Sequence, residues 1–423
     1  MREGEIIEAQ VTRLGGAGDG IAQAGTKQLY VPLALPGETV RVKLGKPLGD
    51  SFSAQLVEVV TPSPNRVQPP CPHFAQCGGC SLQHLAGETY KEHKRNVVAE
   101  ALRQHKLTDI EVRETLVMPA ASRRRLSMAA LHTKDGAILG FNARASHTVV
   151  NVQTCPIARP ELVEFLPKLR AVLGPWLAKA KSLDITLTLT PSGIDVLITG
   201  AEPDLIAREA IAILAKLPSL ARISWRAGER KETEPLLGLR EPIVTFGKIN
   251  VPFPPGAFLQ ASQQGETTLT QLVKGAVREV EGKVADLFAG LGTFTFPLAE
   301  THEVVAVESD RAAVTAMQRA LHFAGKVTAE QRDLFRDPLS SFELDSFGAV
   351  VFDPPRAGAQ AQVAELAQSD VPVVVAVSCN PGTFARDAAK LIEGGYVCEW
   401  VQPVDQFIWS SHVELVARFT KAG

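Results

Sequence analysis

The chain reads as a β and α/β protein in three parts: an N-terminal barrel, a central α+β segment with a cysteine cluster, and a C-terminal doubly wound sheet. Three observations predict this. Short β-branched runs broken by glycine fill Gly4 to about Pro62, strands alternate with helices beyond Lys283, and Cys71, Cys77 and Cys80 stand close together between them. At 423 residues and 45% hydrophobic content, the chain can bury two or three cores. No run of eighteen apolar residues appears, and Met1-Arg2-Glu3-Gly4-Glu5 lacks the basic-then-apolar layout of a signal peptide. The expectation is a cytoplasmic monomer with no membrane partner. A formal charge of −2 and a pI near 6.5 exclude a globally basic nucleic-acid binder, so any RNA contact must be local. The one basic stretch, Ser81 to Ala130, holds nine Lys/Arg against six acids.

Residues 1–62 alternate strand-forming runs with turns: Ile6-Ile7-Glu8-Ala9-Gln10-Val11, the loop Gly15-Gly16-Ala17-Gly18-Asp19-Gly20, Leu29-Tyr30-Val31, Thr39-Val40-Arg41-Val42 and Ala54 to Val60. The spacing predicts a five-stranded barrel. Val11-Thr12-Arg13-Leu14 before the glycine loop, and Val31-Pro32-Leu33-Ala34-Leu35-Pro36-Gly37-Glu38, resemble a TRAM domain, an OB-like RNA-binding barrel. Its acids outnumber its bases, so electrostatic binding by this part is weak.

The proline-dense stretch Thr61 to Pro70 predicts a stiff linker and a boundary, with residues 63–255 forming the central domain. It opens on Cys71-Pro72-His73-Phe74-Ala75-Gln76-Cys77-Gly78-Gly79-Cys80. Thiols this closely spaced in a reducing compartment call for a metal centre, and Cys155 is the other cysteine in this half of the chain. An iron-sulfur cluster held by Cys71, Cys77, Cys80 and Cys155 is the leading expectation. Zinc with His73 or His84 and unligated thiols remain open. The spacing is not the C-x3-C-x2-C of radical enzymes, which points to a structural or RNA-handling role.

Tyr90 to Leu102 has helical spacing with basic residues on a solvated face, and a helix near 88–105 is placed against the C-terminal domain. Arg123-Arg124-Arg125 opens a strand-rich segment; its arginines either hold phosphates or end a strand without a partner. Strands at Ile185–Thr190, Asp195–Thr199 and Ala221–Trp225, with a helix over Leu205 to Lys216, complete an α+β unit.

Residues 256–423 carry the chemistry. Val284-Ala285-Asp286-Leu287-Phe288 runs into Ala289-Gly290-Leu291-Gly292-Thr293, and Glu303-Val304-Val305-Ala306-Val307 ends on Glu308. Glycines after the first strand admit a ligand to the backbone, and an acid closing the second can accept ribose hydroxyls. Thr295 stands where a dinucleotide fingerprint has its third glycine, which argues against hydride transfer and for a ligand without a pyrophosphate. Asp333 and Asp353-Pro354-Pro355-Arg356 follow the next two strands; regular winding would gather Asp286, Glu308, Asp333, Asp353 and Cys379 in one crevice. Cys379 closes the apolar run Val374 to Val377 ahead of Asn380-Pro381, at a strand's end and a helix start where the dipole favours a thiolate. A small buried cysteine closing a strand is the alternative.

Asp353-Pro354-Pro355-Arg356-Ala357-Gly358, Ser378-Cys379-Asn380-Pro381 with Thr383 to Asp387, and Val404-Asp405-Gln406-Phe407 with His412-Val413-Glu414 resemble the RNA 5-methyluridine methyltransferase family. The resemblance runs through nearly the whole chain. It implies a class I methyltransferase domain, S-adenosylmethionine as cofactor, a [4Fe-4S] cluster, and RNA as partner. It is closest to the 23S ribosomal RNA enzymes, since the tRNA-modifying members compared lack both barrel and cluster. It implies cofactor contacts from Gln260, Phe288, Gly290, Thr293, Glu308, Asp333 and Asp353, with Cys379 as nucleophile and Glu414 as base. Two positions qualify it: Ser262 replaces the usual Asn two residues after Gln260, and Thr293 follows Gly292 where the family has Asn or Thr. Tyr30 and His412 are read as structural. On this reading Cys379 adds to uracil C6, C5 takes the methyl group, and Glu414 removes the C5 proton. The rivals are a tRNA uridine-C5 methyltransferase, a non-catalytic RNA-binding or ribosome-assembly factor, and an amino-directed methyltransferase needing no cysteine.

Overall fold

The computed structural model describes residues 2–134, 136–229 and 231–422. Five strands, β1 (Ile6–Leu14), β2 (Gly20–Ala24), β3 (Lys27–Val31), β4 (Thr39–Leu48) and β5 (Ser51–Thr61), close into a barrel in the order β1-β2-β3-β5-β4. Alternate residues Ala9, Val11, Leu29, Val31, Val40 and Val42 point into its core, and closure leaves no strand edge open. Gly20 is required where β2 begins: a Cβ there would lie 2.8 Å from the Ala34 carbonyl oxygen. The proline-rich stretch after the barrel is strapped down rather than a free spacer. Arg66 donates from Nη2 to the Leu33 carbonyl (2.7 Å) and to Glu38 (2.8 Å), while the buried Glu38 also accepts from the Leu35 (2.8 Å) and Ser63 (3.3 Å) amides.

The middle of the chain supplies α1 (Gly87–Gln104), β6 (Leu116–Val117), β7 (Arg125–Thr133), β8 (Gly136–Asn142), β9 (Val149–Asn151), α2 (Pro160–Ala180), β10 (Ser182–Thr190), β11 (Gly193–Gly200), α3 (Leu205–Ala212), β12 (Leu220–Arg226) and β13 (Glu234–Gly238). Seven of these strands make one sheet, β13-β12-β11-β10-β7-β8-β9. Leu162, Phe165, Leu169, Leu173 and Trp176 recur at helical spacing along α2 and pack on its Leu126, Ile185, Val196 and Ile223. A hairpin, β14 (Ile243–Phe246) and β15 (Ile249–Pro252), leads onward.

The rest comprises α4 (Gln263–Val277), β16 (Val284–Leu287), α5 (Thr295–Leu298), β17 (Val304–Glu308), α6 (Arg311–Ala320), β18 (Val327–Gln331), α7 (Ser341–Leu344), β19 (Ala349–Phe352), α8 (Gln360–Leu366), β20 (Val373–Ser378), α9 (Pro381–Glu393), β21 (Tyr396–Asp405) and β22 (Glu414–Lys421). The sheet order is β18-β17-β16-β19-β20-β22-β21-β6. Alternation with helices predicts a parallel sheet, and β16 to β20 are parallel as expected. The last two strands depart from it. No helix separates β21 from β22, so they form an antiparallel pair, and β22 slots antiparallel beside β20. That reversal brings the first residue of β22 next to the last of β20. α1 sends Val98 and Leu102 into this sheet's core, and β6 extends its edge parallel to β21.

Candidate active site

Three neighbouring parallel strands end in register, with Leu287 opposite Phe352 and Phe352 opposite Ala376, while Ser378 pairs with Leu415 of the antiparallel β22. Asp353, Cys379 and Glu414 therefore meet at one edge of the sheet. Asn380 caps α9 by accepting from the Gly382 amide (3.1 Å), with Pro381 in the first turn, as the dipeptide predicts. Its Nδ2 donates to the Arg356 carbonyl (2.9 Å), fixing the loop after β19 beside the cysteine.

The surroundings of Cys379 oppose the helix-end preference for a thiolate. Burial, then the carboxylates of Glu414 and Asp353, push the half-buried thiol up to about 11, against the opposing pull of Arg356. Burial raises Glu414 to about 7, opposed by the Gln406 amide. Asp353 is raised well above the usual carboxylate range by burial and by the charges of Glu414 and Asp286, opposed by Gln260. Asp286 sits deeper. It is fully buried and raised to about 7 by burial; Oδ2 accepts from the Thr295 hydroxyl (2.5 Å) and Oδ1 has no partner. Asp286 is thus an interior group below the crevice.

A line of side-chain amides links the carboxylates. Gln260 Nε2 donates to Asp353 (3.2 Å), while Gln406 Nε2 donates to both Gln260 Oε1 (2.6 Å) and Glu414 Oε2 (2.7 Å). Gln260 is held from behind: buried Arg124 donates to its carbonyl (3.0 Å) and ion-pairs with Glu266. Arg124 is therefore committed inside the protein, contrary to a phosphate role for the whole arginine triplet. Arg123 instead lies over the Phe407 ring, 5.9 Å from its centre. Ser262, in place of Asn, caps α4 by accepting from the Gly265 amide (3.0 Å).

Along the sheet, the loop after β16 turns on Phe288 (φ 59°), Gly290 (φ 56°) and Gly292 (φ 91°), ahead of part-buried Thr293. At Gly292 a Cβ would lie 2.5 Å from the Phe296 ring, so only glycine fits. Glu308 Oε2 accepts from the Gly290 amide (2.9 Å), and Oε1 accepts from the Ser309 and Asp310 amides, both 2.7 Å. Asp333, beyond β18, accepts from the Phe335 amide (3.1 Å), and the Phe335 ring packs 5.5 Å from that of Phe288. Gly290 is thereby tied to Glu308, and the Asp333 loop to Phe288, beyond the strand ends of the parallel sheet.

The groove leading to Cys379 has a volume of about 1050 Å³ and is walled by Arg13 of the barrel, His93 and Arg103 of α1, and Arg356. A second cavity, about 260 Å³, joins Cys77 and Gly79 to Arg123, Gln406, Phe407 and His412. The loop carrying those last three is latched to α1: Lys94 donates to Asp405 (3.1 Å) and to the His412 carbonyl, Tyr90 donates to Asp405, and the Trp409 amide donates to Tyr90 (2.7 Å). Lys94 is fully buried, not on a solvated face. Tyr90, Lys94, Val98 and Leu102 are each four apart, a signal that places the lysine on the inward stripe. Gln406, Arg124 and Phe335 are site residues that sequence reasoning leaves unassigned; Gln406 stands inside a motif it singles out.

Cys71, Cys77, Cys80 and Cys155 all line one small cavity with His73, Gln83 and Phe141. The Gly79 amide donates to Cys77 Sγ (3.4 Å), and the Ala158 amide donates to the Cys155 carbonyl (3.2 Å). Burial raises the Cys80 thiol to about 12, Gln83 opposing and the other three cysteines adding. Among the described residues no group of three or more His, Cys, Asp or Glu is arranged to hold a single metal ion. His73 accepts from the Gln153 amide (3.2 Å), and buried His84 packs its ring 5.2 Å from Phe74.

A class I methyltransferase sheet with an acid-flanked cysteine at its crevice defines the chain as an enzyme of that type. The family model described as tRNA (uracil-5-)-methyltransferase matches residues 246–421. An uncharacterized RNA methyltransferase of Mesorhizobium japonicum is 42% identical, covering 97% of each chain, and one of Brucella melitensis is 43% identical over 100% of this chain and 99% of its own. The 23S rRNA (uracil(1939)-C(5))-methyltransferase RlmD of Vibrio parahaemolyticus is 29% identical over 98% of this chain and 95% of its own. The chain belongs to this family, the S-adenosylmethionine-dependent RNA (uracil-C5)-methyltransferases. In fold it is similar to the tRNA (uracil-54, C5)-methyltransferase of Pyrococcus abyssi, solved with S-adenosyl-L-homocysteine: TM-score 0.75, 24% identity, 97% of this chain and 99% of that one. At that identity the likeness is one of fold.

Proposed function

We propose that the protein methylates C5 of a uridine in 23S ribosomal RNA through a covalent adduct at Cys379, with residues 1–62 as an RNA-binding barrel, 63–255 as the cluster-bearing unit and 256–423 as the catalytic unit. The observation that carries this is the strand register that sets Asp353, Cys379 and Glu414 on adjoining strand ends, with Cys379 lining the groove. Uracil C5 is too weak a nucleophile to attack a sulfonium unaided. Cys379 first gives up its thiol proton to solvent; the thiolate then adds to C6, and the C5=C6 electron pair moves to make C5 an enolate carbon. Bound S-adenosylmethionine supplies the methyl group. Glu414 then takes the C5 proton, the C6–S bond breaks, and the electron pair returns to Cys379 as thiolate. A buried carboxyl near 7 suits that proton transfer. The target base must leave its stack to reach this floor.

Gln260, Phe288, Gly290, Thr293, Glu308, Asp333 and Asp353 would hold the cofactor: Glu308 for ribose hydroxyls, Asp333 for the adenine edge, Phe288 for its face, and Gln260 and Asp353 toward the sulfonium. Cys71, Cys77, Cys80 and Cys155 would hold the [4Fe-4S] cluster. Four thiols lining one cavity suit a cluster whose irons are held by cysteine thiolates. The ribosomal target rests on full-length identity to RlmD. The likeness to the Pyrococcus enzyme favours tRNA as the second reading.

The decisive experiment incubates labelled substrate RNA and S-adenosylmethionine with the enzyme, then runs a denaturing gel with mass analysis of shifted bands. Glu414→Gln should trap methylated RNA on the protein, and Cys379→Ala should give neither adduct nor product. Methylation by Cys379→Ala would end the covalent reading. Mapping 5-methyluridine in a deletion strain decides the target, and loss from tRNA alone would overturn the ribosomal assignment.

A further inference from the structure

Gln406 is 3% exposed and sits on the loop between β21 and β22, one residue from the Asp405 that α1 grips. Its amide orientation is dictated by its neighbours. Gln260 Oε1 and Glu414 Oε2, at 2.6 and 2.7 Å, are both acceptors, so the group facing them must be the NH2. The cost of this arrangement is visible: among the described residues Gln406 Oε1 is buried without a hydrogen-bond partner, while its NH2 serves two acceptors. The side chain is packed closely against α4. A Cβ built on Gly265 of α4 would lie 2.7 Å from Gln406 Cβ and 2.9 Å from Oε1, so glycine at 265 makes the space in which the amide is clamped.

We propose that Gln406 is a positioning residue for the second half of the reaction, holding the Glu414 carboxylate toward the C5 proton and tying it through Gln260 to Asp353. This rests on the reading of Glu414 as base. The groups that face Glu414 are Cys379 at the end of β20 and Asp353 beyond β19, with Arg356 next to the cysteine. Burial favours a protonated Glu414, and the Gln406 N–H favours the ionised form that can accept a proton. Cys379 lies outside the amide line. Removing the amide should therefore spare adduct formation and slow release.

The test uses the full-length enzyme with Gln406→Leu and, should that fold poorly, Gln406→Met, beside Glu414→Gln. Single-turnover assays on labelled RNA follow adduct appearance and decay separately, and calorimetry gives S-adenosylmethionine affinity. The expected result is adduct formation and cofactor affinity within about twofold of the parent, decay slower by about tenfold or more, and a decay rate whose acid limb moves to higher pH; general-base catalysis at stake is on the order of 10²–10⁴-fold. Parent-rate decay in both Gln406 variants, while Glu414→Gln still traps adduct, would overturn the proposal alone. Equal loss of adduct formation, cofactor affinity and decay, with no pH displacement, would also overturn it by revealing a purely structural role. Failure of Glu414→Gln to trap adduct would instead remove the base reading beneath it.

Discussion

At the scale of single residues, the site is built from groups whose charge states depend on one another. Burial and two carboxylates outweigh one arginine in pushing the Cys379 pKa up. The sulfonium is positive, so its arrival toward Asp353 should lower the thiol's pKa, whereas the neutral S-adenosylhomocysteine should not. Iodoacetamide labelling of Cys379 is accordingly expected to keep rising with pH well past 9 in the free enzyme, to slow in Arg356→Gln, and to speed up with S-adenosylmethionine but not with the homocysteine product. Labelling that levels off near the ordinary thiol value of about 8.5 would refute this. The position of Cys379 was legible from the run Val374 to Val377 ahead of Asn380-Pro381. Its protonation was not, because the carboxylates that decide it stand at 353 and 414 and meet it only through strand register.

At the scale of elements, α1 acts on the site through the loop after β21. Lys94 and Tyr90 grip Asp405, and Lys94 also holds the His412 carbonyl, bracketing the segment that carries Gln406 and leads to Glu414. Burial lowers the Lys94 pKa while Asp405 supports its charge. Lys94→Met leaves Asp405 buried without its counter-ion, and breaking such a pair costs about 3–5 kcal/mol. Urea unfolding should register that loss, and turnover should fall with S-adenosylmethionine affinity kept, since the cofactor crevice lies on the other half of the sheet. Lys94→Met as stable as the parent would show the latch to be idle. The helix itself was legible in its apolar spacing; the lysine's place on the inner face lay in the same four-residue step but runs against the ordinary rule that lysine faces water. The antiparallel β22 was less accessible, since alternation of strands and helices predicts parallel pairing and only the missing helix between 406 and 413 signals the reversal.

At the scale of the molecule, the three parts named by the sequence converge on one groove, with Arg13 from the barrel, α1 from the middle and Arg356 from the catalytic sheet along its walls. The order of parts could be read from glycine spacing, cysteine grouping and strand-helix alternation; their convergence could not, because no local pattern encodes where a barrel docks. The thiol loop belongs to this arrangement, for Cys77 and Gly79 wall the second cavity beside Gln406, Phe407 and His412. A cluster bound by that loop would shape the RNA side of the site, since the cavity that Cys77 and Gly79 wall reaches Gln406, Phe407 and His412. Cys80→Ala, prepared anaerobically, should accordingly lose iron and the brown absorbance and bind substrate RNA more weakly, while S-adenosylmethionine affinity stays near that of the parent, as metal-binding energy is folding energy for the loop it organises. Iron and sulfide analysis, RNA titration and calorimetry read the three quantities independently. Stoichiometric zinc without iron in the parent protein would replace the cluster by a single ion, and unchanged RNA affinity in an iron-free Cys80→Ala would separate the thiol loop from recognition.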